Sequence, residues 1–355
     1  MSKLSFLSTT TTTTTNHSLS SNTFFFPTKI SFPKPKKSTR NVVTSTLQTP
    51  NTSKKIVVIM GATGCGKSKL SIDLATRFFP SEIINSDKIQ VYNGLNITTN
   101  KIPISERRGV PHHLLGEFNA TESKPEFSPF DFRSTASSRI DEIINRGNIP
   151  FIVGGSNSYI YALLAKQFNS TLDVLEPRNE LRYNCCFIWV DVMSHVLEKY
   201  LDKRVDEMLD SEMLEELENY FKKEGFSDSG SGLTGRVSGI RKAIGVPEFE
   251  RYFKGEELYE DVVRDIKENT RVLAERQVAK INRLRDAGWD LQRVDATETF
   301  MAVMTSESGK NTAVVKEIWK KQVVEPSAKI VKKFLLEQVT GSQLSKRAEL
   351  LKSNS

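Results

Sequence analysis

Gly61, Gly66, Lys67 and Ser68 fill the spacing G-x-x-x-x-G-K-[ST] inside KKIVVIMGATGCGKSKLSIDLATRFF, the stretch from Lys54 to Phe79. Glycines at 61, 64 and 66 leave the backbone free to wrap a phosphate and to aim N–H groups and a helix N-terminus at it. The candidate phosphate loop therefore runs Gly61, Ala62, Thr63, Gly64, Cys65, Gly66, Lys67, Ser68. Lys67 adds a point charge, and the Ser68 hydroxyl is placed to hold Mg²⁺. The context supports this over an ordinary glycine-rich turn. Ile56 to Met60 reads as a buried strand, and Leu70, Leu74, Ala75 and Phe78 read as one helix face.

Other residues with chemical potential follow in order. Ser81 to Asp87 reads as a second strand whose carboxyl end carries Ser86 and Asp87, the end that faces ligand in open α/β sheets. The segment Phe151 to Leu164 repeats the strand, glycine turn and helix pattern, with Gly154, Gly155 and Ser156 at the turn. Two such turns on one parallel sheet would converge on one crevice; the bland alternative is that Gly154 and Gly155 only permit close packing. His112 and His113 are adjacent and lack a third ligand at recognisable spacing, so they read as structural or substrate-shaping rather than metal-binding.

These residues need elements to hold them. Ser128, Pro129 and Asp131 open a helix with a buried face of Phe132, Ala136, Ile140, Ile143 and Ile144, closed by Gly147. Asn169 to Asn184 is a polar connection, and Cys185 to Val192 is another buried strand. Amphipathic helices follow at His195 to Leu209 and Ser211 to Glu224, and the Ser/Gly-rich stretch Gly225 to Gly239 reads as mobile. A short turn, GIRKAIG, precedes a long helix from Glu256 to Ala287 with a stripe of Leu258, Val262, Ile266, Leu273, Ile281 and Leu284. Arg264, Lys267, Arg271, Arg276, Lys280 and Arg283 lie on its other faces, where solvated or ion-paired roles are expected. The sequence beyond Asp295 shows weak helical patterning and no assignable chemistry.

The expected fold class is α/β, a P-loop NTPase-like parallel sheet flanked by helices with a mostly helical C-terminal part. The division is 1–53, a leader-like disordered segment; 54–192, the α/β core; 193–295, a helical part completing the acceptor site; and 296–355, a C-terminal tail. The net charge of +7 suggests nucleic acid, but residues 1–53 hold six Lys and Arg and no Asp or Glu. The remainder is close to neutral. Three cysteines offer neither a disulfide framework nor zinc spacing. No apolar stretch is long enough to span a membrane. The Ser/Thr-rich, basic, acid-free start resembles an organelle transit peptide and suits a plastid better than a mitochondrial address, with a cytoplasmic protein bearing a plain disordered tail as the alternative.

Taken together, GATGCGKS, SEIINSDKIQVYNGL, HHLLG, PFIVGGSNSYIYALL, and IRKAIG followed by ENTRVLAERQ resemble the isopentenyltransferases that prenylate adenine. That family includes the tRNA dimethylallyltransferases and the adenylate isopentenyltransferases of cytokinin biosynthesis. The resemblance implies that the loop holds the diphosphate of dimethylallyl diphosphate while an adenine N6 amine attacks the prenyl C1. It implies Asp87 as the proton acceptor, with Lys67, Arg241 and Mg²⁺ held partly by Ser68 neutralising the leaving diphosphate. Ser156 stands where the family's tRNA enzymes carry Thr and would hydrogen-bond the bridging oxygen. Lys242, Arg271 and Arg276 would meet the nucleotide's phosphates. On the residues alone, Asp87 is equally an outer carboxylate of a Mg²⁺ site and Arg241 a surface charge.

Two departures from the tRNA enzymes bear on the acceptor. Only Asn157 to Asn184 separates the second glycine turn from the next strand, where those enzymes carry a long helical insertion, and no cysteine/histidine finger follows. The resemblance therefore implies a free adenine nucleotide as acceptor, ATP or ADP favoured over AMP, with no nucleic acid and no membrane as partners and a monomer as the expected state. The competing readings are a tRNA dimethylallyltransferase, a P-loop nucleotide kinase and a silent nucleotide- or RNA-binding protein.

Overall fold

Residues 54–121, 123–168, 180–226, 239–305 and 312–337 are described by the structure, a computed structural model. The leader-like segment lies outside them, as do most of the Asn169–Asn184 connection and of the Gly225–Gly239 stretch.

The apolar run that feeds the glycine loop is a central strand, Lys55–Met60 (β1). Its side chains alternate between two apolar clusters, Ile56, Val58 and Met60 in one and Val57 and Ile59 in the other. Burial on both faces is what a parallel sheet covered by helices demands. Ile149–Gly154 (β4) and Asn184–Asp191 (β5) flank β1, and Ser81–Asn85 (β2) lies beyond β4. His112–His113 (β3) and Leu291–Asp295 (β6) form the edges, giving the all-parallel order β3-β2-β4-β1-β5-β6. This order puts the chain leaving β1, β2 and β4 side by side at one end of the sheet, so the phosphate loop, Asp87 and Ser156 converge there.

The helices in chain order are Lys67–Arg77 (α1), Pro129–Asn145 (α2), Asn157–Leu164 (α3), Ser194–Asp210 (α4), Met213–Glu224 (α5), Val246–Phe253 (α6), Tyr259–Asp286 (α7), Thr297–Thr305 (α8), Thr312–Trp319 (α9) and Glu325–Leu336 (α10). A π-helical turn, Lys320–Val324, joins the last two. In α2 the expected cap is present, with the Ser128 hydroxyl accepting from the Asp131 N–H and Asp131 accepting from the Ser128 N–H. Such reciprocal caps contribute about 1 kcal/mol.

Two expected helix-face residues are solvent-facing. Phe78 is 47% exposed because α1 ends at Arg77 and the backbone leaves helical geometry at Phe78. Leu258 is 69% exposed because it stands at the extended N-cap of α7, before the buried stripe begins. The segment after Asp295 is no loose tail over its described residues. Val323, Val324 and Val331 are fully buried in the same cluster as Val57 and Ile59. Lys55 Nζ donates to the Phe334 and Leu335 carbonyls at 2.8 and 3.0 Å, closing the end of α10 onto β1. Its apolar residues come in short clusters such as Val314–Val315, Ile318–Trp319 and Val323–Val324, and the π-helical turn breaks their helical spacing, which is why the pattern reads weakly.

Candidate active site

The loop between β1 and α1 meets the requirements of an anion cradle. Gly66, the N-cap of α1, sits at φ 91°, and the helix start carries no side-chain cap and no acidic residue in its first turn. Its leading N–H groups are thereby left facing outward with the positive end of the helix dipole. Lys67 Nζ folds back to donate to the Ala62 carbonyl at 2.5 Å. Cys65 is fully buried, and burial pushes its thiol above the ordinary cysteine range. Ser68 is exposed in the first turn of α1, where its hydroxyl makes no hydrogen bond among the described residues. An exposed hydroxyl beside a phosphate cradle suits Mg²⁺, which takes few protein ligands and keeps water and phosphate oxygens. No cluster of three His, Cys, Asp or Glu side chains is placed to hold a metal among the described residues.

Beside this loop lies a cavity of about 360 Å³. Its floor is polar: Thr63 from the loop, Asp87 after β2, Ser156 after β4, Arg204 from α4 and Gln277 from α7. Its wall is apolar, with Val205, Met208, Met213, Ile244, Ile266 and Leu273 among the lining side chains. Lys88, Lys242 and Arg276 also border it.

Asp87 is held by one oxygen. Its Oδ1 accepts from the Ile89 and Gln90 main-chain N–H groups at 2.9 and 3.2 Å, leaving Oδ2 without a hydrogen-bond donor among the described residues. Ser156 Oγ accepts from the Lys88 N–H at 2.9 Å, so its own proton is available to a ligand. Gly154 and Gly155 do permit close packing. A Cβ on Gly154 would lie 2.4 Å from the Ser86 carbonyl carbon, and one on Gly155 would lie 2.4 Å from Gln277 Nε2. That closeness is what carries Ser156 to the cavity.

The placement of the expected residues is mixed. Thr63, Asp87, Ser156, Lys242 and Arg276 reach the cavity, but Lys242 is engaged by Glu126, whereas Arg276 is exposed and has no partner among the described residues. Gly61, Ala62, Gly64, Cys65, Gly66, Lys67 and Ser68 form the loop beside it without lining it. Arg241 does not line it either. Its guanidinium donates to the Glu224 and Gly225 carbonyls at 3.2 and 2.7 Å and lies over the Tyr220 ring, because the short helical turn Gly239–Lys242 directs it toward the end of α5. Arg271 is turned away as well, bonded to Asp202 and Glu268. His113 Nε2 bonds Glu82 at 2.7 Å and His112 Nδ1 bonds the Val110 carbonyl at 2.8 Å, so both histidines pin the edge strand.

A second cation at the phosphate loop, besides Lys67, is Arg204. Its Nη2 donates to Thr63 Oγ1 at 3.2 Å, its Nε is buried without a partner, and burial lowers its pKa from the usual arginine value. No carboxylate pairs with it among the described residues, so a half-buried positive charge faces the loop. Its sequence signal was its position: Arg204 follows the buried Leu197 and Leu201 at helical spacing, at the edge of the apolar face of α4. Gln277 is the second residue missed. Its Oε1 accepts from the Thr63 N–H at 2.6 Å and its carbonyl accepts from Asn157 Nδ2 at 3.0 Å, so α7 ties the two glycine turns together.

A phosphate cradle, a carboxylate with one free oxygen, a half-buried guanidinium and an apolar wall, set at the carboxyl end of a parallel sheet, define a P-loop group-transfer enzyme. The comparisons with known proteins narrow this. Residues 90–178 and 165–283 match the family model for IPP transferase. Adenylate isopentenyltransferase 1, chloroplastic, of Arabidopsis thaliana is 52% identical over 81% of this chain and 83% of its own length. Adenylate isopentenyltransferase of Humulus lupulus is 52% identical over 78% of this chain and 89% of its own. Further relatives bear chloroplastic names and one a mitochondrial name. A solved eukaryotic dimethylallyltransferase acting on tRNA shares the fold with a TM-score of 0.64, 26% identity and 80% coverage of each chain. The chain belongs to the isopentenyltransferase family, and it is a prenyl-transferring enzyme.

Proposed function

We propose that the enzyme transfers the dimethylallyl group of dimethylallyl diphosphate to N6 of a free adenine nucleotide, releasing diphosphate and forming a cytokinin precursor. The observation that carries this reading is the meeting of Thr63, Asp87 and Ser156 in one cavity with an apolar wall. The diphosphate lies on the loop N–H groups, with Lys67 and Arg204 neutralising its charge. Ser156 Oγ donates to the bridging oxygen. The amine lone pair bonds to C1, the C1–O bond breaks, and Asp87 Oδ2 takes the proton that N6 gives up. The Ser68 hydroxyl would hold Mg²⁺, which when bound would supply further charge neutralisation to the leaving group. The apolar wall shields the allylic centre from water, which would otherwise compete with the amine.

Arg276 and Lys88 are the cations at the cavity that suit the acceptor's phosphates, and more phosphates give them more to hold, which agrees with ATP or ADP over AMP. Arg241 would reach the diphosphate only by leaving the Glu224 and Gly225 carbonyls and the Glu250 carboxylate, and it has no role in this transfer. The names of the relatives at 52% identity support a free nucleotide as acceptor. The chloroplastic names among the relatives agree with residues 1–53 as a plastid transit segment.

The purified protein, given dimethylallyl diphosphate, Mg²⁺ and AMP, ADP or ATP, is expected to yield N6-prenylated nucleotide and diphosphate. Phosphoryl transfer between nucleotides with no prenylated product would place the chain's chemistry with the P-loop kinases instead.

A further inference from the structure

We propose that Trp319 is a positioning residue for the diphosphate loop, acting through Gly66 and Asp73 without touching substrate. This deepens the proposed function and rests on the loop being the site of the prenyl donor's diphosphate.

The ring reaches the loop directly. A Cβ on Gly66 would lie 2.8 Å from the Cη2 and 3.1 Å from the Cζ3 of Trp319, and Phe300 closes the same space at 3.8 Å. Gly66 immediately precedes Lys67, so an indole backs the turn that aims the first N–H groups of α1. Trp319 is only 4% exposed and does not line the cavity.

Its other end holds the helix. Trp319 Nε1 donates to Asp73 Oδ2 at 2.8 Å, and the Asp73 side chain is 1% exposed. Lys69, Arg77 and Arg108 also reach this carboxylate, but their side chains are 44–51% exposed. Exposed ion pairs hold geometry weakly, whereas a buried hydrogen bond to a charged acceptor holds it well. One side chain thus grips α1 at its N-cap and, two turns along, at Asp73.

The chain is built to present it. Trp319 is followed by the π-helical turn Lys320–Val324, in which Val323 and Val324 are fully buried. A turn of that width brings positions four and five residues on to the same side, so the indole and both valines join the one cluster that contains Leu70 and Leu74 of α1. The segment that shows no chemistry in the sequence thereby becomes support for the phosphate cradle.

The test is kinetic and spectroscopic on the full chain. Trp319→Phe keeps a ring against Gly66 and removes the bond to Asp73. It is expected to raise KM for dimethylallyl diphosphate about five- to tenfold, with the nucleotide KM changed by less than about twofold and cooperative unfolding retained. An unchanged donor KM, or equal rises in both KM values, would overturn the proposal and leave Trp319 as core filling. Lys67→Ala, measured alongside, tests the underlying reading. If it raises the nucleotide KM and not the donor KM, the loop does not hold the prenyl donor, and that reading fails irrespective of Trp319. A chain with Trp189→Phe and Trp289→Phe keeps Trp319 as its one tryptophan. Its emission should shift on adding inorganic diphosphate with Mg²⁺; emission that stays constant while diphosphate binds would likewise overturn the proposal.

Discussion

Gln277 accepts the Thr63 main-chain N–H at 2.6 Å, joining the middle of the long helix α7 to the tip of the phosphate loop across 214 positions of sequence. The same side chain fills the space beside Gly155. The two glycine turns are therefore set against one amide group.

Removing that amide tests the arrangement. Gln277→Met keeps the length and loses the acceptor, and kcat/KM is expected to fall about three- to tenfold, the value of one hydrogen bond, with the fold intact by circular dichroism. Activity equal to that of the parent enzyme would show that the loop holds its shape without α7.

Asp87→Asn leaves an Oδ1 to accept from Ile89 and Gln90, so the turn should keep its shape. The amide cannot take the N6 proton. Turnover is expected to fall by about 10²- to 10⁴-fold while both KM values stay within a few-fold, measured by steady-state prenyl transfer. Near-normal turnover would remove Asp87 from proton transfer.

Arg204 and Arg241 separate the two candidate cations. Arg204→Met is expected to lower kcat/KM for the prenyl donor on the order of 10²-fold, since it takes a preorganised charge from the leaving group. Arg241→Ala is expected to change kinetics little and to lower stability by about 1 kcal/mol, through loss of its bonds to the Glu224 and Gly225 carbonyls. The reverse pattern would return the leaving-group role to Arg241.

The contrast between those arginines shows what could be read in advance. The phosphate loop, the strand that leads to Asp87 and the second glycine turn are local patterns, each carried by a few adjacent residues, and the structure brings all three to one end of the sheet. Arg241 lies within a recognisable block, IRKAIG, but which way its side chain turns depends on the end of α5, 16 and 17 positions earlier. Arg204 and Gln277 act through contacts made over 141 and 214 positions, which no local spacing encodes. The segment after Asp295 was illegible for a related reason: Trp319, Val323 and Val324 have meaning only once a π-helical turn sets them on one side.

Acid should loosen the sheet edge. Glu82, with a side chain 4% exposed, accepts from Arg146, Asn148 and His113, and the Arg146 bond chiefly holds its pKa down at about 2. A carboxyl with a depressed folded pKa adds stability that is complete above its unfolded value, near 4.5, and is lost as pH falls toward 2. Because Arg146 is half exposed, the contribution is about 1–2 kcal/mol. Urea midpoints of the parent protein and Glu82→Gln should therefore differ at pH 6 and converge between about pH 4.5 and 2. A difference independent of pH would assign the effect to packing.

The acceptor is the central claim, and a direct competition tests it. With dimethylallyl diphosphate and Mg²⁺, ADP and an adenosine-containing anticodon stem-loop RNA are offered together, and the prenyl group is followed into each. Under that claim, product appears on ADP and none above background on RNA. Product on the RNA, with ADP left unmodified, would contradict it.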